Sequence, residues 1–237
     1  AQTGTPSFEA GHADVPITIN DEQPARLVDP ASGQAVNETS LPAVKDGKTV
    51  GTYTIDPKTG TVTFQPNKDF VGTPEPIQVE VKDANGTPAK ASYTPTVTAV
   101  VPRGDNQTTT DIQGKTQSAT LVFTPGSDKV PMDDTVDARF EDGSTEKKVE
   151  GQGTYTVAKD GTVTFVPEKS FVGTATPVTV KRQDVNGTVA TATYTPIVTA
   201  VTPSGSPATS SGLQGASQTG TPSFTPGHPD VPIKIDA

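Results

Sequence analysis

Short runs of alternating apolar and polar residues begin near residue 53. Tyr53 and Ile55 alternate with threonine, and Val62 and Phe64 do the same after the turn sequence DPKTG. A period of two places every second side chain on one face of a β-strand. The pattern therefore predicts a β-hairpin with one apolar face.

The same hairpin pattern returns about a hundred residues later. Tyr155 and Val157 precede the turn sequence AKDG, and Val163 and Phe165 follow it. In both places the polar positions are mostly threonine, a residue that suits a half-buried strand. Two hairpins of the same design are therefore expected.

A further strand and a tight turn are predicted after each hairpin. Ile77, Val79 and Val81 alternate with polar residues, whereas in the second copy Arg182 takes the place of Val81. One inward position is therefore expected to leave the core there. The sequences DANG and DVNG follow, and their Asn-Gly pairs suit turns that need positive φ.

The final strand of each copy contains a proline. Apolar and small residues alternate from Ala91 to Ala99, and Pro95 interrupts this run, as Pro196 does in the second copy. Proline has no N–H to donate to a ladder. This strand is therefore expected to lie at a sheet edge or to carry a bulge at the proline.

The two copies are an internal repeat with an offset of 101 residues. Residues 60–101 and 161–202 are identical at 26 of 42 positions without a gap, including the stretches GTVTFQPNKDFVGT and GTVTFVPEKSFVGT. Upstream the offset grows to 115, which indicates 13 extra residues in the first copy between Pro16 and Tyr53. A longer loop or hairpin is expected near VDPASGQAVNETS.

A third copy begins near the end of the chain. Residues 218–236 match residues 2–20 at 14 of 19 positions. Such a partial unit cannot bury its own apolar face, so it is either disordered or borrows a partner, for example in a neighbouring molecule.

These elements predict an all-β fold class, a series of tandem antiparallel β-sandwich repeats of immunoglobulin- or fibronectin-like architecture arranged end to end. The linkers are expected at Val101–Asp111 and Thr202–Gly212, which are rich in Pro, Thr, Ser and Gly. The expected domains are repeat 1 at 1–101 with a longer loop at about 21–48, repeat 2 at 102–203, and a linker plus the truncated N-terminal strands of a third repeat at 204–237.

Composition narrows the class of protein. The net charge of −9 disfavours nucleic acid as a partner, because phosphates attract Lys and Arg. There is no cysteine, so disulfides are excluded, although the composition otherwise looks extracellular. This combination suits surface proteins of Gram-positive bacteria. No apolar span, signal peptide or sorting motif occurs in the sequence. We therefore expect no membrane insertion, and an internal piece of a longer exported protein.

Two long motifs resemble a known family. The sequences FTPGSDKVPMDDTVDARFEDGSTEKKVEGQGTYTV and GTVTFVPEKSFVGTATPVTVKRQDVNGTVATATYTPIVT resemble the CshA-type fibril repeat of streptococcal and related cell-wall-anchored fibrillar adhesins. The resemblance covers essentially the whole chain and is strongest in the second copy. The first copy departs from it in its insertion and in LPAVKDGKTV.

The resemblance implies a structural function without catalysis or a cofactor. In that family tandem repeats form a stalk, and a separate non-repetitive N-terminal region carries most of the binding to host matrix proteins such as fibronectin. The chain is then a stalk segment whose partners are neighbouring repeats. The alternative is an adhesion module in which the repeats themselves bind a host matrix or bacterial ligand.

The sequence offers little support for an enzyme. His12 and His228 occupy the same repeat position, GHxDVP, which is GSDKVP in the second copy. Because one copy lacks the histidine, it is interpreted as a polar turn residue rather than as a catalytic base. No cysteine nucleophile is available, and no phosphate-binding glycine loop occurs.

Three further patterns are candidate binding or modification sites. Arg103, Gly104 and Asp105 form an RGD sequence that could engage integrins if exposed, whereas the corresponding residues downstream are Ser-Gly-Ser. Lys68 and Lys169 share one repeat position that suits an isopeptide donor less well than a turn. The carboxylates that could bind calcium lack any known ligand spacing and are interpreted as a solvated turn: Asp133, Asp134, Asp137, Glu141 and Asp142.

Overall fold

The structure, a computed structural model, describes residues 1–234, which contain β-strands and turns but no helix. The chain divides into two units, Ala1–Val100 and Val101–Ala237. Residues 235–237, which end the partial third copy, lie outside the described part. Each unit has a hydrophobic core of its own.

The first unit is built from two antiparallel sheets. The strands are β1 (Gln2–Gly4), β2 (Arg26–Val28), β3 (Ser40–Lys45), β4 (Lys48–Ile55), β5 (Val62–Pro66), β6 (Ile77–Lys82) and β7 (Pro88–Tyr93). One sheet has the order β1-β5-β4-β3, and the other has the order β2-β6-β7. Apolar side chains from both sheets meet in one core, which makes the unit a β-sandwich.

The second unit begins with two strands that precede the counterpart of β1. The strands are β8 (Arg103–Asp105), β9 (Gln107–Ile112), β10 (Gln117–Thr120), β11 (Val122–Thr124), β12 (Arg139–Phe140), β13 (Glu146–Val149), β14 (Gly153–Val157), β15 (Thr162–Pro167), β16 (Gly173–Thr174), β17 (Val178–Gln183), β18 (Val189–Thr199), β19 (Ser204–Ser206) and β20 (Ser223–Thr225).

The sheets of the second unit repeat those of the first and extend them. Strands β10-β15-β14-β13 form one sheet, and β12-β17-β18-β16 form the other, in which β9 also pairs with β18. The short pairs β8–β11 and β19–β20 are separate two-stranded sheets. The core lies between the two larger sheets.

Four aromatic rings occupy equivalent places in the two cores. In the second unit Tyr155 lies 4.5 Å from Phe165 between ring centroids and 6.4 Å from Tyr194, and Phe171 lies 6.3 Å from Phe165. The first unit repeats this cluster with Tyr53, Phe64, Tyr93 and Phe70. The tilted and edge-on contacts are favourable geometries for aromatic pairs.

The predicted hairpins and turns are confirmed. Strands β4 and β5 pair with Tyr53 opposite Phe64, and β14 and β15 pair with Tyr155 opposite Phe165. The Asn-Gly turns join β6 to β7 and β17 to β18, and Gly86 and Gly187 have the positive φ that such turns need.

The largest group of the extra residues, seven of the 13, lies between β2 and β3, since Arg26 and Ser40 are 14 positions apart and their counterparts Arg139 and Glu146 are 7 apart. Val28 forms a bridge to Ala35, and the Asp29 N–H donates to the Gln34 carbonyl, which closes the predicted hairpin. The Asp29 carboxylate accepts the Ala31 N–H and the Ser32 hydroxyl, and these hydrogen bonds, the first above all, lower the pKa of Asp29.

The edge position predicted for the last strand is wrong for the second unit. There Pro196 lies inside β18, opposite Thr109 of β9, and its carbonyl accepts the Ala175 N–H. The proline is tolerated because β17 pairs with β18 only up to Tyr194 and β16 pairs from Ile197 onward. The missing N–H therefore falls in the gap between two partner strands.

The linker predicted at Val101–Asp111 is also wrong. Most of this segment forms β8 and β9, which belong to the second unit. The threonines of β9 lie on both faces of the strand. The segment therefore shows no apolar alternation that would predict a strand. The segment Thr202–Gly212 contains only the short strand β19.

We expect the first unit to lose stability as the pH rises from 10 to about 12. Burial, the largest cause, raises the pKa of Tyr53 from 10.0 to about 12, and its hydroxyl donates to the Glu75 carbonyl at 2.8 Å. Because the folded state holds this proton more tightly, the stabilisation is complete below pH 10 and is lost through that window, by on the order of 2 kcal/mol.

The measurement is the free energy of unfolding across this pH range for the native chain and for Tyr53→Phe. The variant should show the shallower decline, since it has no proton to lose at this position. Equal slopes for the two chains would contradict the role assigned to Tyr53.

Candidate functional site

The first and last long strands of the second unit run side by side in parallel. Strand β9 pairs with the second half of β18 over six positions, from Gln107 opposite Tyr194 to Ile112 opposite Thr199. The other strand pairs described for residues 1–234 are antiparallel. We call the β9–β18 pairing the seam, because it joins the two ends of the repeat.

Three side chains hold the seam from inside. The Thr109 hydroxyl donates to Gln117 Oε1 at 2.5 Å, and it lies 2.7 Å from the Tyr194 hydroxyl. Since the single proton of Thr109 goes to the glutamine, Tyr194 is the donor in the second bond. Gln117 Nε2 then donates to the Ile197 carbonyl at 2.9 Å.

The hydrogen bonds of this network contribute to stability because the side chains that form them are buried. Gln117 is 4% exposed and Tyr194 is 0% exposed. Burial also raises the pKa of the Tyr194 hydroxyl. A buried polar group that loses its partner costs about 1–3 kcal/mol, so the three side chains favour the native register of β9.

Sequence reasoning missed the seam, although one signal was available. A glutamine recurs at the same repeat position, as Gln2, Gln117 and Gln218. In the partial third copy the Ser210 hydroxyl donates to Gln218 Oε1 at 2.9 Å, as Thr109 does to Gln117. A polar residue that recurs at one repeat position indicates a hydrogen bond that the copies share.

The RGD sequence lies in a strand rather than at a loop tip. Arg103, Gly104 and Asp105 form β8, which pairs with β11, and the side chains of Arg103 and Asp105 are exposed. A Cβ on Gly104 would lie 2.5 Å from the Thr191 carbonyl oxygen and 2.8 Å from the Ala192 Cβ. The glycine thus lets β8 approach β18 closely, and an integrin role for the motif stays a prediction.

The histidines cap a turn, as the sequence predicts. His12 Nδ1 accepts the Asp14 N–H at 3.2 Å, and His228 Nδ1 accepts the Asp230 N–H at the same distance. In the second unit the Ser127 hydroxyl accepts the Lys129 N–H in the equivalent turn. A side chain that serine replaces in one copy has a turn role.

The carboxylates of the second unit do not converge. Asp133 accepts hydrogen bonds from Thr135, and Asp142 accepts them from Ser144. Asp134 pairs with Arg182 at 2.8 Å. Among the residues from 1 to 234, no group of three or more His, Cys, Asp or Glu side chains could hold a metal ion.

The two lysines considered as isopeptide donors lie in exposed turns. Lys68 and Lys169 follow β5 and β15, and both side chains are exposed. The Lys169 carbonyl accepts the Gln113 side-chain amide at 2.8 Å, so this turn packs beside the end of β9. Neither lysine is in the core, where burial would favour the uncharged, nucleophilic amine.

The repeats match a family model throughout. A model described as the surface adhesin CshA repetitive domain matches residues 1–97, 99–198 and 200–237. The chain belongs to this family of CshA repeats. It is therefore a repeat region of a cell-surface fibrillar adhesin, and the family points to a structural protein rather than an enzyme.

Several solved structures are similar to parts of this chain. Repeat domain 13 of the fibrillar adhesin CshA from Streptococcus gordonii is 63% identical, and the match covers 30% of this chain and 90% of that chain with a TM-score of 0.18. Fibronectin(III)-like modules of Clostridium thermocellum CbhA are 14% identical over 77% of this chain and 83% of that chain, with a TM-score of 0.26.

A third similar structure is a tetra-tandem repeat in the extending region of a large adhesion protein. It is 19% identical, and the match covers 77% of this chain and 41% of that chain with a TM-score of 0.28. A comparison with curated protein sequences finds no match. Within residues 1–234, no helix is long and apolar enough to cross a membrane.

We expect Gly104→Ala to destabilise the second unit by about 1–3 kcal/mol, because the added methyl group would overlap the backbone of β18. Denaturant unfolding of the full chain measures the change. Asp105→Ala is the matched control, since its side chain is exposed, and it should stay within about 0.5 kcal/mol of the native chain. Equal stability of Gly104→Ala and the native chain would show that β8 does not need this glycine.

Proposed function

We propose that the chain is a stalk segment of a bacterial fibrillar adhesin, in which tandem repeats extend an adhesive tip away from the cell wall. The observation that carries the proposal is the recurrence of one sandwich design, with the same aromatic cluster in both cores. A design repeated along the chain converts sequence length into reach, whereas a binding site is needed once.

The direction of the seam supports a load-bearing role. Since β9 and β18 are parallel, the N-terminal end of β9 and the C-terminal end of β18 lie at opposite ends of the seam. Tension applied through the two chain ends therefore pulls the strands past each other. In this shear geometry the hydrogen bonds of the seam share the load instead of breaking one at a time.

The aromatic side chains support a structural role as well. Tyr53, Tyr155 and Tyr194 are 0–2% exposed, as are Phe64 and Phe165. Aromatic side chains are the residues most often used to anchor a protein partner. In these repeats they are used inside the cores.

The proposal includes the setting of the segment. Its partners are the neighbouring repeats of the same chain, in the division 1–101, 102–203 and 204–237. Contact with host matrix proteins is made through regions outside this segment, and the whole protein is anchored to the cell wall. An acidic surface, with a net charge of −9, favours repulsion between stalks and solubility.

The alternative function is an adhesion module in which the repeats bind a ligand directly. One observation favours it, namely that the Arg103 and Asp105 side chains are both exposed on β8. In a strand these two side chains, two positions apart, lie on the same face. They are therefore available to one partner.

The experiment distinguishes a stalk, which extends a separate tip, from an adhesion module, which binds a ligand itself. The chain is placed in one, two or three copies between a surface anchor and a separate tip ligand on beads, and capture is measured on a receptor surface beneath a polymer brush. A stalk predicts that capture increases with copy number and that beads lacking the tip do not adhere to matrix proteins.

Adhesion of tip-free beads to matrix proteins, lost on Asp105→Glu but not on Asp128→Glu, would favour the adhesion module instead. Asp128 is the matched control because it is also an exposed aspartate of the second unit. Capture that does not depend on copy number would contradict the stalk.

A further inference from the structure

The turn before the last strand of each sandwich contains an Asn-Gly pair. Asn85-Gly86 joins β6 to β7, and Asn186-Gly187 joins β17 to β18. The other four asparagines of the chain are followed by residues with long or charged side chains: Asn20, Asn37, Asn67 and Asn106. In the two turns alone, the residue after the asparagine has no side chain that would hinder an approach to its peptide nitrogen.

An asparagine before a glycine is a thermolabile residue that can lose ammonia in a reaction needing only water. The peptide nitrogen of the glycine attacks Cγ of the asparagine, the new bond to Cγ forms, and the bond from Cγ to Nδ2 breaks. The proton of the peptide nitrogen leaves with the ammonia, and a five-membered succinimide ring remains. Water then opens the ring at one of its two carbonyls. The products are aspartate and isoaspartate, in which the main chain runs through Cγ.

The folded turns keep the glycine nitrogen in a hydrogen bond. The Gly86 N–H donates to the Asp83 carbonyl at 2.9 Å, and the Gly187 N–H donates to the Asp184 carbonyl at the same distance. A nitrogen whose proton is held in this bond does not readily lose it to solvent. Cyclisation therefore requires that the turn open first.

An aspartate adds two further hydrogen bonds to each turn. Asp83 Oδ1 accepts the Asn85 N–H at 2.9 Å and the Thr87 N–H at 2.8 Å. In the second unit Asp184 Oδ1 accepts the equivalent pair of N–H groups at the same two distances. Opening either turn thus breaks these two bonds as well as that of the glycine, and the free energy of this local opening sets how often cyclisation occurs.

Isoaspartate does not fit a turn of this length. It adds an extra carbon atom to the main chain, whereas the N–H groups of Gly86 and Thr87 converge on Asp83 across a fixed number of backbone atoms. The ladder that continues from the turn, with Lys82 opposite Pro88, depends on the same spacing. The modified chain therefore cannot restore both the turn and the register of the hairpin.

Both products also place a carboxylate where the asparagine has a neutral amide. In the second unit this charge arises two positions from Asp184, which is 0% exposed. Like charges repel strongly where water is excluded. Charge and chain length thus disfavour the folded hairpin together.

We propose that Asn85 and Asn186 are self-modification sites, at which the following glycine and water convert asparagine to isoaspartate when the turn opens, and that this product prevents the hairpin from re-forming. Each sandwich carries its own site, so an unfolding event that lasts long enough becomes irreversible for that sandwich. The inference concerns chemistry within one chain. It goes beyond the proposed stalk function and does not depend on it.

The first test follows each asparagine in the full chain, in native buffer and in denaturant, at the same mildly alkaline pH. Proteolysis and mass spectrometry report the mass gained when NH2 is replaced by OH, which isomerisation of an aspartate does not produce. In denaturant we expect loss at Asn85 and Asn186 well ahead of the other four asparagines. In native buffer this loss should be at least about tenfold slower, because opening a turn breaks three hydrogen bonds.

Equal rates in the two buffers would overturn the protective role of the turns. Loss spread evenly over all six asparagines would overturn the assignment of the two sites. This test needs no variant, so it does not depend on how a substitution affects folding.

The second test measures refolding of the chain after it has aged in denaturant. The matched control carries Asn85→Gln and Asn186→Gln, which keep an amide but would need a larger ring to cyclise. The control retains the Asp-Gly pairs, so it measures any loss that their isomerisation causes: Asp46-Gly47, Asp142-Gly143 and Asp160-Gly161.

The aged native chain should regain less folded structure than the aged control, by a fraction that rises with the isoaspartate content of the two turns. Asn85→Gln alone should protect the first unit but not the second. A native chain that contains isoaspartate at both turns and refolds as completely as the control would overturn the proposal.

Discussion

The parallel pairing of β9 with β18 is the constraint on which the second unit depends. It brings together segments that are 80 or more residues apart in sequence, as the hydrogen bond from Gln117 to Ile197 illustrates. Closing so long a loop costs entropy, which the six paired positions and the buried network offset. The same pairing places the Thr109 hydroxyl 2.7 Å from the hydroxyl of Tyr194, one of the rings of the aromatic cluster. Without it the outer edge of β18 would be open.

The hairpins could be predicted because their information is local. Tyr53, Ile55, Val62 and Phe64 lie within a dozen residues, and their period of two fixes which face is buried. The Asn-Gly turns were equally local, since positive φ at Gly86 and Gly187 follows from the residue types. These features of the fold needed no knowledge of distant partners.

The seam could not be predicted because its sequence signal is not local. Residues 107–112 contain one strongly apolar residue, and their composition resembles a flexible linker. What makes them a strand is the exposed edge of β18, which is specified elsewhere in the chain. The edge position predicted from Pro196 is wrong for the same reason. A proline is tolerated inside β18 because it lies at the gap between the partner strands β16 and β17. The RGD sequence falls within the segment predicted as a linker, whereas Gly104 is required by the close approach of β8 to β18.

Mechanical unfolding of single chains held by their two ends tests the central claim that the seam bears the load. The account predicts that the second unit yields in one high-force step that releases roughly 300 Å of chain between Gln107 and Thr199. Thr109→Pro should remove this high-force step, because the substitution disrupts the pairing of β9 with β18. Loss of the step would show that the seam produces it. A step of this length at an unchanged force in Thr109→Pro would contradict the account.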